Sequence, residues 1–169
     1  VLTEAEHSAL QNELDILYKE VLVPGFALPP DVEDIHSYIE LILTERVGEA
    51  GKKIHTGRSR NDQVAVDIKL FLKDKVLQIQ SKTQEVFELF MQQAEANAHK
   101  LLPGYTHLQL AMPSSAGLWL GAFAESLIDD LEMLAAAYHI VNKNPLGSGA
   151  GYGSSFPLDR ECTTQALGF

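Results

Sequence analysis

The sequence predicts an all-α protein in which long helices pack as a bundle. Apolar residues recur at helical spacing over two long stretches, about 61–100 and 113–141. No stretch shows the period-two alternation and β-branched enrichment that are typical of strands. The 169 residues are 46% hydrophobic and 21% charged, which is a globular composition. We therefore expect helices joined by loops at 24–30, 48–60, 101–112 and 143–158.

Two short helices are predicted first. Thr3 is the candidate N-cap of the first helix because Glu6 follows at the spacing of a capping box, and Pro24 ends the helix. Its apolar positions are Leu10, Leu14, Leu17 and Val21. Asp31 is the candidate cap of the second helix, which Gly48 ends.

Two long helices follow. Asn61 or Asp62 is the candidate cap of the third helix, which is predicted to run to about Lys100. Its apolar seam comprises Ala65, Ile68, Leu72, Val76, Ile79, Thr83, Val86 and Phe90. Some forty helical residues are about 60 Å long, so this helix needs neighbours along its whole length. Pro113 suits the first turn of the fourth helix, and the two long helices are predicted to form an antiparallel hairpin.

The charge distribution is uneven. The formal net charge of −10 argues against nucleic-acid binding, which needs a basic surface. Residues 46–60 nevertheless carry a charge of +4, from one acid, Glu49, and five cations. These cations are Arg46, Lys52, Lys53, Arg58 and Arg60. The window is either a solvated loop or a site that binds anions.

Other classes are excluded by composition. The uncharged stretch 101–124 contains several prolines and glycines, so it does not predict a transmembrane helix. The first six residues lack the basic start and apolar run that would predict a signal peptide. The single cysteine, Cys162, excludes an internal disulfide, and the six histidines show no metal-ligand spacing. Because the chain starts without Met and ends without a closing helix signal, we expect it to be a fragment.

Three loops carry residues suited to chemistry. Ser59, Arg60 and Asn61 precede or open a helix, where free backbone N–H groups favour a carboxylate, unless they only cap the helix and pair with acids. Residues 102–109 offer a hydroxyl, an imidazole and an amide, although a loop histidine can also be structural. The glycine-rich stretch 144–157 is either a flexible turn or a place where backbone approaches a ligand.

Together these loops resemble one enzyme family. Residues 57–63 (Gly-Arg-Ser-Arg-Asn-Asp-Gln), 104–109 (Gly-Tyr-Thr-His-Leu-Gln) and 145–150 (Pro-Leu-Gly-Ser-Gly-Ala) are similar to the first two signatures and the following glycine loop of argininosuccinate lyases. The resemblance extends over nearly the whole chain, including 33–36. It implies a long-helix bundle of the fumarase and aspartase type. It also implies that 1–57 belong to an N-terminal helical domain and 58–169 to the opening of the central bundle domain.

The resemblance implies the β-elimination of argininosuccinate to arginine and fumarate, without metal or cofactor. His107 is then a proton-transfer residue. The implied substrate contacts are Ser59, Arg60, Asn61, Thr106 and Gln109. Two neighbouring positions depart from the family pattern, because Leu110 and Met112 stand where many relatives have Arg and Gln.

The resemblance also implies a cytoplasmic homotetramer in which each active site draws on three subunits, with no nucleic-acid or membrane partner. The family's third signature, a Met-Pro-x-Lys-x-Asn run that carries the catalytic serine, does not occur in these 169 residues. We therefore expect the chain alone to be inactive. Two alternatives stay open: another fumarate-forming lyase of the same superfamily, and a crystallin-like structural protein on the lyase fold.

Overall fold

The computed structural model describes all 169 residues and is mainly helical. Its elements are α1 (Glu4–Val21), α2 (Ile35–Val47), α3 (Glu49–Lys53), α4 (Arg60–Ala96), β1 (Leu101–Thr106), β2 (Gln109–Ser115), α5 (Ala116–Val141) and α6 (Arg160–Ala166). The chain divides into two compact units. The first comprises Val1–Ala65 and Pro145–Arg160, and the second comprises Val66–Asn144 and Glu161–Phe169. The predicted boundary between domains at residues 57 and 58 stays a prediction.

Helix α1 begins as the sequence predicts. The side chain of Thr3 accepts a hydrogen bond from the Glu6 amide at 3.3 Å, and the Glu6 carboxylate accepts one from the Thr3 amide at 2.8 Å. This reciprocal pair satisfies two backbone donors that the first turn would otherwise leave unpaired. The capping box of α1 is therefore confirmed.

The predicted cap of α2 is wrong. Asp34 caps the helix, and its carboxylate accepts from the Ser37 amide at 2.7 Å. Asp31 lies earlier, inside a turn in which the Val32 amide donates to the Pro29 carbonyl. Because this turn occupies residues 29–32, the helix starts three residues later than predicted. Gly48 ends α2 as expected.

Helix α3 lies where a loop was predicted. It has only five residues, too few to show apolar periodicity in the sequence. A Cβ atom at Gly51 would lie 2.5 Å from the backbone of Leu43, so α3 can pack directly on α2 only because this residue is glycine. The core of the first unit joins the three helices through Leu10, Leu17, Leu43 and Ala50.

In the second unit, α4 and α5 run antiparallel, as predicted. Near one end the Lys69 Nζ atom donates to the Ile140 carbonyl, and further along the rings of Phe90 and Phe123 stack with centroids 5.7 Å apart. At the other end Gly117 lies against the last turn of α4, where a Cβ atom would lie 2.5 Å from the Ala94 carbonyl oxygen, and its amide donates to the carbonyl of Asn97, just after α4, at 3.2 Å. The predicted helical hairpin is confirmed.

The connection between these helices is a β-hairpin, whereas a loop was predicted. Strands β1 and β2 pair antiparallel with an irregularity at Gly104 and Tyr105, and Pro103 lies opposite Pro113. Pro113 is therefore in a strand and does not open α5, whose cap is Ser115. The hairpin was missed because most of its side chains are exposed on both faces and alternation is absent.

Much of the apolar seam of α4 is exposed within the single chain. Ile68 and Ile79 are 53% and 51% exposed, and Leu72 and Val86 are also exposed. The short helix α6 was not predicted, and Lys73 reaches the last residues through a hydrogen bond to the Gly168 carbonyl. None of the helices combines the length and the apolar character that crossing a membrane would require.

Candidate active site

Ser59 forms the start of α4, so the predicted caps Asn61 and Asp62 are wrong. The Ser59 Oγ atom accepts from the Asn61 amide at 3.2 Å, and the Ser59 amide donates to the Asp62 carboxylate at 2.9 Å. Asp62 thus occupies the third helical position, and its carboxylate binds the amide of the residue before the helix. The Asn61 side-chain amide also donates to Ser59 Oγ at 3.2 Å. The first signature therefore forms a hydrogen-bonded helix N-terminus, which favours anions.

Arg60 is held by three side chains of the first unit. Its Nε atom lies 3.0 Å from the Asp34 carboxylate, Nη1 donates to Gln63 at 2.8 Å and Nη2 donates to Ser37 at 3.1 Å. A guanidinium has five N–H donors, so two remain for another acceptor. The Ser37 amide lowers the pKa of Asp34 from its ordinary value, and the positive charge of Arg60 lowers it further.

The basic window is largely neutralised within the chain. Arg46 pairs with Glu13 and Glu20. Two other cations of the window pair as Lys52–Glu49 and Lys53–Glu6. With Arg60 on Asp34, four of the five cations have acidic partners, and Arg58 has none. Of the five cations, Arg58, directly before Ser59, is therefore the one that remains for an external anion.

Asp62 joins the first signature to the glycine loop. The carboxylate is 1% exposed. One oxygen accepts from the Ser59 amide, and the other accepts from the amides of Gly147 and Gly149, both at 3.0 Å. This role was not predicted from the sequence. The Ser-x-x-Asp spacing of a capping box was the available signal, although it could not have indicated the contact with residues 147 and 149.

The second signature forms the tip of the β-hairpin. Thr106 and Gln109 are the last paired residues, so His107 and Leu108 make a two-residue turn. Both turn residues have left-handed φ angles, 50° and 63°. The side chains of Thr106, His107 and Gln109 are exposed, which leaves the hydroxyl, imidazole and amide accessible to a ligand.

The structure thus places the predicted residues in two clusters. Ser59, Arg60 and Asn61 lie together in the first unit, on the first turn of α4. Thr106, His107 and Gln109 lie together in the second unit. A cavity of about 220 Å³ opens beside Arg60 in the first unit. Its polar lining comprises His36, Glu40, His55, Arg60 and Gln63. No group of three His, Cys, Asp or Glu side chains is arranged to hold a metal ion.

Comparison with known proteins identifies the class. A family model described as lyase matches residues 1–169, and the chain belongs to this lyase family. Argininosuccinate lyase from Bacteroides thetaiotaomicron is 53% identical over 100% of this chain and 38% of its own length. The enzyme of the same name from Xanthomonas axonopodis pv. citri is 46% identical over 100% of this chain and 39% of its own length. The chain therefore spans about two fifths of these curated relatives.

A solved structure of EDDS lyase in complex with formate is also similar. It has a TM-score of 0.89 and 28% sequence identity, covering 99% of this chain and 33% of that one. A variant of EDDS lyase with bound fumarate has the same scores. This similarity confirms the predicted fold class, a long-helix bundle of the fumarase and aspartase type.

Proposed function

We propose that the full-length protein is an argininosuccinate lyase that acts in arginine biosynthesis. The observation that carries the proposal is the 53% identity to the Bacteroides thetaiotaomicron enzyme over all 169 residues. An identity of this size over both signature clusters exceeds the 28% identity to EDDS lyase, whose name indicates a different substrate. The fumarate bound to a variant of that lyase supports a site for fumarate on this fold.

The proposed reaction is a β-elimination. A base removes the proton from the carbon beside a carboxylate, and the electron pair forms the double bond of fumarate while the C–N bond to the guanidinium nitrogen breaks. The nitrogen gains a proton, so argininosuccinate gives arginine and fumarate without a cofactor. The carbanion places extra negative charge on the carboxylate, and donors aimed at that carboxylate stabilise the transition state.

The first cluster is proposed to bind the substrate. Ser59 and Asn61 lie at the N-terminus of α4, where backbone N–H groups and the helix dipole attract a carboxylate. Arg60 contributes its two remaining N–H donors while Asp34 fixes the orientation of its guanidinium. Arg58, which has no acidic partner in the chain, supplies charge beside the same turn.

The second cluster is proposed to act at the fumarate end. Thr106 and Gln109 donate to the carboxylate through a hydroxyl and an amide, and His107 transfers a proton. An exposed imidazole at the tip of a two-residue turn can reach into a site that other segments complete. The serine of the family's third signature is a further group that such a site requires.

We also propose that the full-length protein is a cytoplasmic homotetramer with shared active sites. The exposed seam of α4, with Ile68 and Ile79 about half exposed, supports burial against further helices. These 169 residues contain a single cysteine and therefore no internal disulfide, which suits a reducing compartment.

The test is fumarate release, followed by ultraviolet absorbance, from argininosuccinate and separately from EDDS. The proposal requires argininosuccinate to be the better substrate by kcat/KM. A preference for EDDS would favour the alternative lyase. An assembled oligomer that releases no fumarate from either compound would favour a crystallin-like structural protein.

A further inference from the structure

The carboxylate of Asp62 is the most completely buried charged group of the chain and contacts two functional segments. It is 1% exposed, and its two oxygens accept three backbone hydrogen bonds, from Ser59, Gly147 and Gly149. We propose that Asp62 is a positioning residue for the substrate site. It holds the first turn of α4 against the glycine loop, so that Ser59 and Asn61 are presented in one arrangement. This inference rests on the proposed lyase function.

The chemistry of the contact requires a carboxylate. An ionised carboxylate only accepts hydrogen bonds, and all three partners of Asp62 are N–H donors. An Asn side chain has the same shape but only one oxygen, so it can accept either from the Ser59 amide or from the amides of Gly147 and Gly149. Its NH2 group would then face the remaining N–H donors in a buried place, where no water can accept their hydrogen bonds.

The glycine loop has a conformation that suits this contact. Gly147 and Gly149 have φ angles of +91° and +57°, which side chains disfavour. A Cβ atom would lie 3.0 Å from the Arg160 side chain at residue 147, and 3.1 Å from the Gly153 carbonyl at residue 149. Because both amides already donate to Asp62, they are not available to a substrate anion. The loop therefore supports the site and does not bind the substrate through these two groups.

The contact reaches the proposed substrate residues through Ser59. Asp62 binds the Ser59 amide, and Ser59 Oγ in turn accepts from the backbone and side-chain amides of Asn61. Loss of the first hydrogen bond frees Ser59 and, with it, the orientation of Asn61. A misplacement of about 1 Å at a substrate contact can cost about 100-fold in rate.

The experiment compares Asp62→Asn with Asp74→Asn in the full-length protein. Asp74 is an exposed carboxylate on the same helix, so its variant controls for charge. A merely structural defect lowers the amount of active enzyme, which reduces kcat and leaves KM unchanged. A positioning defect raises KM, and we expect an increase of about tenfold for Asp62→Asn and none for Asp74→Asn.

Gly147→Ala provides a second variant that keeps the carboxylate. We expect it to raise KM similarly, and the double variant Asp62→Asn/Gly147→Ala to be no worse than the poorer single variant, since both break one contact. If Asp62→Asn assembles and its KM is unchanged, the inference is overturned. If Asp62→Asn does not assemble, the KM of Gly147→Ala is measured instead, and an unchanged KM in that variant overturns the inference.

Amide hydrogen exchange separates this inference from the proposed function. In the wild-type protein the amides of Gly147 and Gly149 should be protected, and Asp62→Asn should accelerate their exchange at least tenfold relative to Asp74→Asn. Wild-type protein that releases no fumarate would contradict the lyase function. Unprotected glycine amides would overturn the role of Asp62 whatever the activity.

Discussion

His107 combines an exposed imidazole with a left-handed backbone at the tip of the β-hairpin. The φ angles of 50° and 63° at His107 and Leu108 are those that two-residue type I′ turns require, yet such turns favour Asn-Gly. A non-glycine residue in this region costs about 1–2 kcal/mol. Strain of this kind is concentrated at functional sites, which agrees with the proton-transfer role proposed for His107.

Replacing His107 by Asn in the full-length protein should lower kcat by about 100-fold or more, because general acid–base catalysis contributes about that factor. Asn tolerates a left-handed backbone, so the turn and the oligomer should be retained. Steady-state fumarate release and light scattering measure the two properties. His7→Asn, on the exposed face of α1, is the control and should retain wild-type activity. A near wild-type rate for His107→Asn would show that this histidine is only structural.

Leu108 offers a separate test of the strain in the turn. Its side chain is 94% exposed, so little packing is lost when it is replaced. Leu108→Asn should raise the stability of the folded protein by up to about 1 kcal/mol, because Asn relieves part of the left-handed penalty. The midpoint of thermal unfolding checks this result. Leu110→Asn, in the adjacent extended strand, should give no such gain, and a lower midpoint for Leu108→Asn would contradict the strain argument.

At this scale the sequence predicted which residues cluster but not how they are held. Ser59, Arg60 and Asn61 were expected at a helix N-terminus, and they lie there. The pairing of Arg60 with Asp34 and the burial of Asp62 against Gly147 depend on contacts between residues 26 and 85 positions apart. Such contacts leave no local pattern in a single sequence. The substrate and catalytic roles of these residues stay predictions.

Helices α4 and α5 approach each other closely at Gly117, which restricts the size of the residue at that position. Gly117 lies one turn before Gly121 on α5, but their surroundings differ. A Cβ atom at Gly117 would lie 2.5 Å from the Ala94 carbonyl oxygen and 2.6 Å from the Ala98 Cα atom, whereas a Cβ atom at Gly121 would meet nothing within 4 Å. The backbone of α4 cannot move aside as a flexible side chain would.

This difference makes Gly117→Ala and Gly121→Ala a matched pair. The first should destabilise the full-length protein by about 1–3 kcal/mol through overpacking. The second should stabilise it by up to about 1 kcal/mol, because Ala favours a helix more than Gly does. Chemical denaturation measures both. Equal stability of the two variants would show that α4 and α5 are not in contact at Gly117.

The first unit contains an ion pair with a testable pH dependence. Lys53 on α3 donates to the Glu6 carboxylate on α1, and this hydrogen bond, followed by that of the Thr3 amide, lowers the pKa of Glu6 from 4.5 to about 2. A lowered pKa means that the charged form stabilises the fold. The contribution is therefore present above about pH 4.5 and is lost as the pH falls towards 2.

Glu6→Gln should remove this dependence. We expect the stability difference between wild type and Glu6→Gln to shrink as the pH falls from 6 to about 2, the Glu6 pKa, in urea unfolding curves. Glu4→Gln, an exposed change in the same turn, is the control. A difference that is constant over this range would mean that the pair between α1 and α3 does not form.

The elements show where periodicity suffices for prediction and where it does not. Helices α1, α4 and α5 were predicted because each has several turns that repeat apolar residues. The five residues of α3 and the seven of α6 are too few for such a repeat. The β-hairpin was missed because neither its exposed strands nor its His-Leu turn carries the usual sequence signals.

For the whole molecule, the folded chain has fewer unpaired cations than the charge distribution of the sequence suggested, and many of its apolar side chains are exposed. The net charge of −10 argued against a nucleic-acid partner, and the cations of the basic window proved to be mostly paired with acids. Large apolar side chains remain exposed on the long helices, among them Phe71, Leu118, Trp119, Met133 and Ile140. Water-exposed apolar surface of this extent favours association with further helices.

The 169-residue chain on its own should therefore self-associate. We expect its apparent mass to exceed 18.6 kDa and to rise with concentration in sedimentation experiments, because burial of the exposed seams drives association. Because the third signature does not occur in these residues, the same sample should release no fumarate, whereas the full-length protein should form a discrete tetramer that does. Ile79→Glu, a charge on the exposed seam of α4, should reduce the apparent mass, and Gln84→Glu, a polar position of that helix, should not. A chain that remains monomeric at every concentration would contradict the proposal that these seams are interfaces.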